Sequence, residues 1–446
     1  MHRMATVPAL LLLCLCLSAS PETFSVRQHF YQVGPNPCAI VAHDLNGDEL
    51  PDIVTADRGA MSDPREERPA NDEVSVLMAK ANLEFERFHP SLKTDFAPYA
   101  IAIANVDALK WPDIIVGSFL ATKHNDIMVF LNRQQDGLFQ PAEFHFPDEN
   151  LMYFRQNDGD GNGVFSKPGI TALAVQDITH DSLRDLVATG WSSDVIIFMP
   201  GDATAYFGPP KFISAPGGPR DLQLADFDRD NQADLAVAMY CTGEASLWKG
   251  DGTGAFAEAA RFPTRGHLPC KIRVCDMDRN GTLDLVVAHA QAEDSIVVFF
   301  GDGSFSFSVS QEILLGENRQ ILEQEIRDLA VDDFNGDGRP DIAAACFASC
   351  KVVVLLNDGG EPLRFRKEIY SFEQGKPRAL CAEDFDHNGS PDLAVALWEA
   401  NAVGLLINDT KPSPPKAAGS TEAPASKTRT KPEPKDASRN GRRDKP

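Results

Sequence analysis

After its first twenty residues the chain has no apolar run long enough to cross a bilayer as a helix. It also lacks a Gly-x-Ser-x-Gly elbow, a His-Glu-x-x-His pair, a phosphate loop and a dinucleotide fingerprint. Hydrolases of the elbow type, zinc proteases and nucleotide-dependent enzymes therefore find no support. Cysteine is sparse. Cys14 and Cys16 fall in the apolar leader, and seven remain: Cys38, Cys241, Cys270, Cys275, Cys346, Cys350 and Cys381. None of their spacings suits zinc, and an odd number leaves at least one thiol free or paired between chains. Cys346 and Cys350 flank one expected hairpin tip and are the candidate pair. Basic charge is scarce too, with 42 Lys and Arg against 65 Asp and Glu, a formal net charge of -23. Ten of those cations lie in residues 411–446 against four acids, which leaves -29 on the rest. Such a body is a poor general nucleic-acid binder.

The leader itself reads as a secretory signal over residues 1–20. His2 and Arg3 precede the run Val7 to Leu17, which ends in Ser18-Ala19-Ser20. The mature chain is expected to be exported, secreted or periplasmic according to source, where calcium is plentiful. Residues 411–446, rich in Pro, Lys, Ala and Ser, are expected to be a disordered basic tail able to touch anionic surfaces.

What the chain does have is a nine-residue loop repeated seven times. The copy Asp333-Phe334-Asn335-Gly336-Asp337-Gly338-Arg339-Pro340-Asp341 puts side-chain oxygens at positions 1, 3, 5 and 9. Its glycines allow the turn that lets those oxygens converge. A hard cation such as Ca²⁺ takes six to eight oxygens, so the spacing predicts calcium loops, with the position-7 carbonyl as a further ligand. Four complete copies accompany it. Their ligands are Asp44, Asn46, Asp48 and Asp52 in loop one, and Asp226, Asp228, Asp230 and Asp234 in loop four. Loop five has Asp276, Asp278, Asn280 and Asp284, and loop seven has Asp384, Asp386, Asn388 and Asp392. Position 7 is Leu50, Gln232, Thr282, Arg339 and Ser390 in these five. The third copy, with Asp177, Thr179, Asp181 and Asp185, is weaker. The second, with Asn105, Asp107, Leu109 and Asp113, loses a ligand at Leu109 and is expected to hold its shape without metal. Position 12 is never Glu, and β-type runs flank the loops, so helix–loop–helix sites are excluded. The competing account is that these Asp and Asn side chains merely satisfy turn amides.

Loops begin at Asp44, Asn105, Asp177, Asp226, Asp276, Asp333 and Asp384, a period near 50 with β-type runs inside each unit. This predicts an all-β, seven-bladed β-propeller of four-stranded blades over residues 22–410. The seventh unit stops at Asn408 without a fourth strand, and residues 25–31 resemble that strand, so the N-terminus is expected to complete the last blade and close the ring. Residues 58–73 and 145–168 are insertions. The second contains Asn157-Asp158-Gly159-Asp160-Gly161-Asn162-Gly163, either another cation loop or a Gly-rich surface loop. Asn408-Asp409-Thr410 has the form of an N-glycosylation acceptor.

On the face opposite the loops two registers can be read. Six residues after the last loop Asp come Arg58, Phe119, Trp191, Tyr240, Ala290, Phe347 and Trp398. Six before the first loop position come Cys38, Tyr99, Thr171, Arg220, Cys270, Arg327 and Arg378. The candidate ligand-binding residues are Phe119, Trp191, Tyr240, Phe347 and Trp398 with Arg220, Arg327 and Arg378. Aromatic faces with arginines suit glycans, carboxylates or peptides. Packing between blades is the alternative for the aromatics. His267, His289 and Tyr240 are the only candidate acid–base groups, and no catalytic residue is assigned.

The motif Asp-x-[Asp/Asn]-x-[Asp/Asn]-Gly-x-x-Asp, followed by a Leu/Ile-Val-Ala strand, resembles the FG-GAP/VCBS repeat family, which includes the integrin α-subunit propeller. The resemblance covers about residues 24–409. It implies a calcium-stabilised propeller and leaves function open, since relatives include adhesion receptors, lectins and propellers attached to lyases. The expected role is a secreted binding, adhesion or scaffold module for a glycan or extracellular protein. The alternative is a carbohydrate-active, lyase-like enzyme using the same channel mouth.

Overall fold

The computed structural model describes residues 23–27, 29–59, 73–94, 97–107, 109–119, 127–132, 139–143, 154–156, 164–166, 169–202, 207–290, 295–316 and 324–410. The leader, most of the first insertion, Asn157–Gly163 and the basic tail lie outside them. Seven antiparallel sheets follow one another as blades along the chain, and a two-stranded hairpin, Phe154–Gln156 with Val164–Ser166, lies in the second insertion. Blade 4 shows the pattern: Pro219–Ala225, Asp234–Met239, Glu244–Gly250 and Phe256–Pro263, each paired with the next. The protein is an all-β, seven-bladed propeller of four-stranded blades, and no α-helix occurs among the described residues. No described helix is long and apolar enough to cross a membrane.

The second strand of every blade is buried along its whole length, as in Asp234–Met239 and Asp341–Cys346. That is why these strands read as unbroken apolar runs instead of alternating ones: neighbouring blades cover both faces. Apolar clusters accordingly lie between blades. Val287 and Leu285 of blade 5 pack with Ala236 and Ala238 of blade 4. Ile40 and Ile53 of blade 1 pack with Ala394 and Ala396 of blade 7. The axis is left to a polar channel.

Blade 7 consists of Pro377–Glu383, Asp392–Leu397 and Ala402–Asn408, and its outer strand comes from the N-terminus. Phe24, Ser25 and Val26 pair with Asn408, Ile407 and Leu406. Tyr31 and Gln32 pair with Val403 and Ala402. The Phe24 ring lies 5.5 Å from Phe334 and 5.6 Å from Tyr370, edge-on to both.

Two expectations are corrected. Cys346 ends one strand and Cys350 directly precedes the next, so they do flank the hairpin tip, but no disulfide joins them or any other of the seven described cysteines, and Cys346 is fully buried. Asn408 is no glycan acceptor in the folded chain. It has no exposed surface, and its side-chain nitrogen donates to the Phe334 carbonyl at 2.7 Å and the Pro391 carbonyl at 3.0 Å. Asn132 and Asn357, at the same place in blades 2 and 6, reach back to Leu45 and Met277 in the same way. These asparagines tie blades 2, 6 and 7 each to the loop of the blade before it.

Candidate functional site

The nine-residue loops join the first and second strands of each blade. All seven position-9 aspartates are fully buried. Each carboxylate accepts two backbone amides, one from loop position 2 and one from the end of the third strand. For Asp341 these are Phe334 at 2.9 Å and Asn357 at 2.6 Å. For Asp284 they are Met277 at 2.8 Å and Gly301 at 2.9 Å, and for Asp113 Val106 at 3.0 Å and Asn132 at 2.8 Å. Position 1 behaves similarly: Asp276 accepts from Asn280 at 3.0 Å and Gly281 at 2.8 Å. Asp and Asn thus do satisfy turn amides, and position 9 clamps three strands even in the loop that carries Leu109.

The amides leave charge unbalanced. Burial, the largest cause, pushes Asp52, Asp341 and Asp392 up to about 7 and Asp284 up to about 6, and carboxylates of the same loop add to it. In loops four, five and seven three carboxylates come within 4.8 Å of one another. They are Asp226, Asp228 and Asp234; Asp276, Asp278 and Asp284; and Asp384, Asp386 and Asp392. These all-oxygen clusters fit a hard cation. Loop four already holds a tethered one. Lys249 from the third strand pairs with Asp228 and lies 2.7 Å from Asp230. In loops one and six position 3 is Asn46 and Asn335, which offer a neutral oxygen, and Arg339 sits 3.4 Å from Asp337. In loop two Leu109 is exposed and its carbonyl accepts from Asn105.

Several residues expected as ligands are not brought into those clusters. In loop one Asp48 is exposed, and its oxygens accept from the Leu50 amide at 3.0 Å and the Asn46 side chain at 3.1 Å. Asp44 turns to the amides of Gly47 at 2.6 Å and Glu49 at 2.9 Å. Loop three differs most from the cation geometry. The Thr179 hydroxyl donates to Asp185 at 3.1 Å, so it faces that carboxylate as a hydrogen-bond donor. The same Asp185 oxygen accepts the amides of Ile178 at 2.8 Å and Thr179 at 2.9 Å, and its other oxygen takes Gly201 at 2.8 Å. Asp181 is exposed and accepts from the Leu183 amide at 2.8 Å, while its own amide donates to Asp177 at 3.1 Å. A threonine one oxygen short of an aspartate is the physical reason: it leaves this loop as a hydrogen-bonded turn with no carboxylate cluster. In loop seven Asn388 is likewise engaged. Its side-chain nitrogen donates to the Asn408 carbonyl at 2.7 Å and its oxygen accepts the Ser390 amide at 2.8 Å. Only the three aspartates of that loop converge. At position 7 the side chains turn away to the strand ends, Thr282 to the Gly301 carbonyl at 2.8 Å and Arg339 to that of Asn357 at 3.1 Å.

At the other end of the first strands, about 20 Å away along seven residues, the same irregularity recurs in every blade. Strand pairing skips one residue between Pro37 and Ala39, Pro98 and Ala100, Ile170 and Ala172, Pro219 and Asp221, Pro269 and Lys271, Ile326 and Asp328, and Pro377 and Ala379. The residues skipped are Cys38, Tyr99, Thr171, Arg220, Cys270, Arg327 and Arg378. A β-bulge re-aims its side chain out of the ladder, and here all seven line one cavity of about 250 Å³ on the axis. The second register is fixed by an equally regular bond. The amides of Arg58, Phe119, Trp191, Tyr240, Ala290, Phe347 and Trp398 donate to the carbonyls of residues 36, 97, 169, 218, 268, 325 and 376.

The two registers meet at the channel mouth, a cavity of about 300 Å³ lined by Arg58, Tyr99, Phe119, Arg220, Arg327, Phe347, Arg378 and Trp398. Trp191 and Tyr240 stand behind this lining. They continue a chain of rings, Tyr99 to Phe119 at 5.5 Å, Phe119 to Trp191 at 5.6 Å and Trp191 to Tyr240 at 6.5 Å. Arginines cap the faces: Arg220 lies 5.0 Å from the Tyr240 centroid, Arg58 5.3 Å from Phe119 and Arg327 5.5 Å from Phe347. The rings also pack on inter-blade core, Phe119 and Trp398 on that of blades 1 and 2 and Tyr240 on that of blades 5 and 6. Both accounts of the aromatics therefore hold at once.

Tyr99 is the residue that sequence reasoning passed over, though its register was in plain view. Its hydroxyl accepts from Arg220 and Arg378. Burial alone would raise its pKa, but Arg378, Arg220 and Arg58 outweigh burial and bring it down to about 8. Deeper in the channel Lys271 and Arg273 of blade 5 bridge Asp221 of blade 4 and Asp328 of blade 6, with Arg273 at 2.9 and 3.1 Å. These carboxylates are engaged there. Among the described residues no acid pairs with Arg58, Arg220 or Arg378, while Arg327 pairs with Glu325. His289 does not join Tyr240 at the mouth. It is fully buried between Thr264 Oγ1 at 3.0 Å and the Ser295 carbonyl at 3.2 Å, and burial pushes its pKa down to about 4.

No curated protein matches the chain in sequence. Among solved structures, BBS1N in complex with ARL6DN shares 13% identity, with a TM-score of 0.54, over 86% of this chain and 98% of that one. Virginiamycin B lyase from Staphylococcus aureus shares 12% identity, with a TM-score of 0.54, over 86% and 99%. A putative 6-phosphogluconolactonase from Bacteroides uniformis shares 15%, with a TM-score of 0.51, over 76% and 87%. At these identities the likeness shows the propeller fold alone. Residues 177–237, 276–344 and 333–395 match the FG-GAP-like repeat. They span loops three to seven and the strands that follow, so FG-GAP-like repeats make up that part of the β-propeller.

Proposed function

We propose that this chain is an exported binding module whose ligand face is the channel mouth, with a glycan or an extracellular protein as partner. The observation that carries the reading is the bulge repeated in all seven blades, which sends one side chain per blade into a single axial cavity. A scaffold that needed only a filled axis would not leave Arg220 and Arg378 there with no paired carboxylate among the described residues. Export rests on the apolar leader. Calcium belongs to the same reading. The triads of Asp276, Asp278 and Asp284 and of Asp384, Asp386 and Asp392 are the best holders, and the ion would supply the charge balance that the buried position-9 carboxylates lack. A glycan array probed with the full chain in calcium buffer tests the face. A hit lost in Trp398→Ala and kept in a substitution on the outer strands supports it, and a hit indifferent to Trp398→Ala refutes it.

A second reading, a lyase-like enzyme on carbohydrate, draws on Tyr99. A phenol poised near neutral pH between arginines is suited to proton abstraction. Turnover of acidic oligosaccharides that vanishes in Tyr99→Phe would move the assignment to this reading.

A further inference from the structure

The mouth is a positive pocket in a negative protein, and among the described residues no acid is ion-paired with Arg58, Arg220 or Arg378. Arg58, Arg220 and Arg378 come from blades 1, 4 and 7 and point at one phenol, each guanidinium carbon 5.5 or 5.6 Å from the Tyr99 ring centroid. Asp328 acts on Arg378 from deeper in the channel, where it is already bridged to Lys271 and Arg273. Crowding three cations with no paired acid among the described residues costs energy unless something anionic shares the site. Arg378 is 8% exposed, and the Tyr99 hydroxyl is the only hydrogen-bond partner it shows among the described residues. The Nε atoms of Arg58 and Arg327 are buried and bond to nothing described. Buried donors without acceptors are rare enough to ask what accepts from them.

The walls narrow the answer. Beside the arginines that cap them, Phe119, Phe347 and Trp398 line the cavity with aromatic surface, suited to the C–H face of a ring. The backbone offers little to a peptide strand, because the seven mouth amides are already bonded across the hairpin tips. The cavity, about 300 Å³, has the size of a pocket for one small ring and its substituents.

We infer that the mouth takes the charged end of an acidic saccharide, a carboxylate or sulfate group seated between Arg58, Arg220 and Arg378 with the sugar ring against Phe347 and Trp398. The inference rests on the channel mouth being the ligand face and adds the ligand's charge. Planar carboxylates and tetrahedral sulfates both match the guanidinium fork, which makes Arg the fitting cation here.

Calorimetric titration of the full chain in calcium buffer tests it, with trigalacturonate, sulfated galactose, galactose, inorganic sulfate and a tetraglutamate peptide as probes. The expected result is that a charged sugar binds at least about tenfold tighter than galactose and weakens as salt is raised. Arg220→Gln and Arg58→Gln should each weaken it about tenfold or more. Arg378→Gln is read only if its melting curve matches the parent, because that side chain is buried. Inorganic sulfate binding as tightly as the charged sugars would mean a free-anion site, and tetraglutamate binding tightest would mean a protein partner. Either overturns the saccharide. No anion binding, or anion binding indifferent to Arg220→Gln and Arg58→Gln, overturns the inference altogether. A neutral glycan or protein that binds in a Trp398-dependent, Arg220-independent way would sink the anion while leaving the ligand face in place.

Discussion

Arg378 donates to the Tyr99 hydroxyl at 2.8 Å and so joins blade 7 to blade 2 past blade 1, in the lining of the mouth. The pair makes the site sensitive to pH. Tyr99 is lowered to about 8 in the fold against about 10 when exposed. A depressed acid adds stability that is complete above the unfolded value and is lost as pH falls through the folded one. Stability should therefore rise between pH 8 and 10 in a manner absent from Tyr99→Phe. Ultraviolet titration should show one of the six tyrosines ionising near pH 8. If all six titrate near 10, the arginines do not hold Tyr99 as described.

The clamp and the cation can be separated with loop two. Asp113 staples two amides in the loop that lacks a ligand at Leu109. Asp113→Ala should cost about 2–5 kcal/mol, from two orphaned buried donors, and the loss should be the same in calcium and in EDTA. Asp284→Ala should lose stability in both buffers and more in calcium. Denaturant unfolding of the two variants decides it.

Calcium should raise the melting temperature of the parent and EDTA lower it. At a hundredfold excess over its dissociation constant each occupied site adds about 2.7 kcal/mol. Differential scanning calorimetry that shows no shift would remove calcium from the account and leave the loops as hydrogen-bonded turns.

Lys249 competes with any ion for loop four. Lys249→Met should tighten cation binding there, visible as one additional or stronger site in a terbium luminescence titration. An unchanged titration would mean that the ammonium leaves Asp228 and Asp230 without cost when metal arrives.

Removing residues 22–33 strips Phe24 and Tyr31 from buried positions and uncovers the edge of Ala402–Asn408. Each lost ring is worth roughly 2 kcal/mol. The truncated chain should melt at least about 5 °C lower and aggregate on heating, because an open strand edge templates pairing. Equal melting curves would show that the segment is dispensable.

Much of this was legible because a propeller is periodic. The loops at Asp44 through Asp384 fix blade number and strand order, and counting six residues either way finds both mouth registers. Counting cannot find the bulge. Cys38, Thr171 and Cys270 share no chemistry with Arg220 or Arg378, so only the pairing of backbone atoms reveals that all seven turn toward the axis. In the sequence Tyr99 is one aromatic among many, since its significance comes from arginines 121 and 279 residues away. Spacing also does not say which loop side chains converge. Thr179, Asp181 and Asp185 keep the right intervals, yet a hydroxyl that donates to Asp185 is indistinguishable in sequence from one that would face a cation. Asp48 and Asn388 hold the right positions and spend their oxygens on the turn amides of Leu50 and Ser390. Asn408 misleads for another reason. Its local triplet is that of a surface acceptor, while its surroundings, the carbonyls of Phe334 and Pro391, are set by the neighbouring blade and by its own hairpin.

The bulged residues take no part in the ladder, so the strand pairing within a blade does not depend on what their side chains are. Seven sockets around one axis can therefore be refilled singly while the scaffold stays the same. A descendant carrying acids where this chain has Arg220 and Arg378 would choose cations from the same seat. Diversification of such proteins should thus concentrate at seven positions spaced one per repeat, with the loop aspartates held constant beneath them.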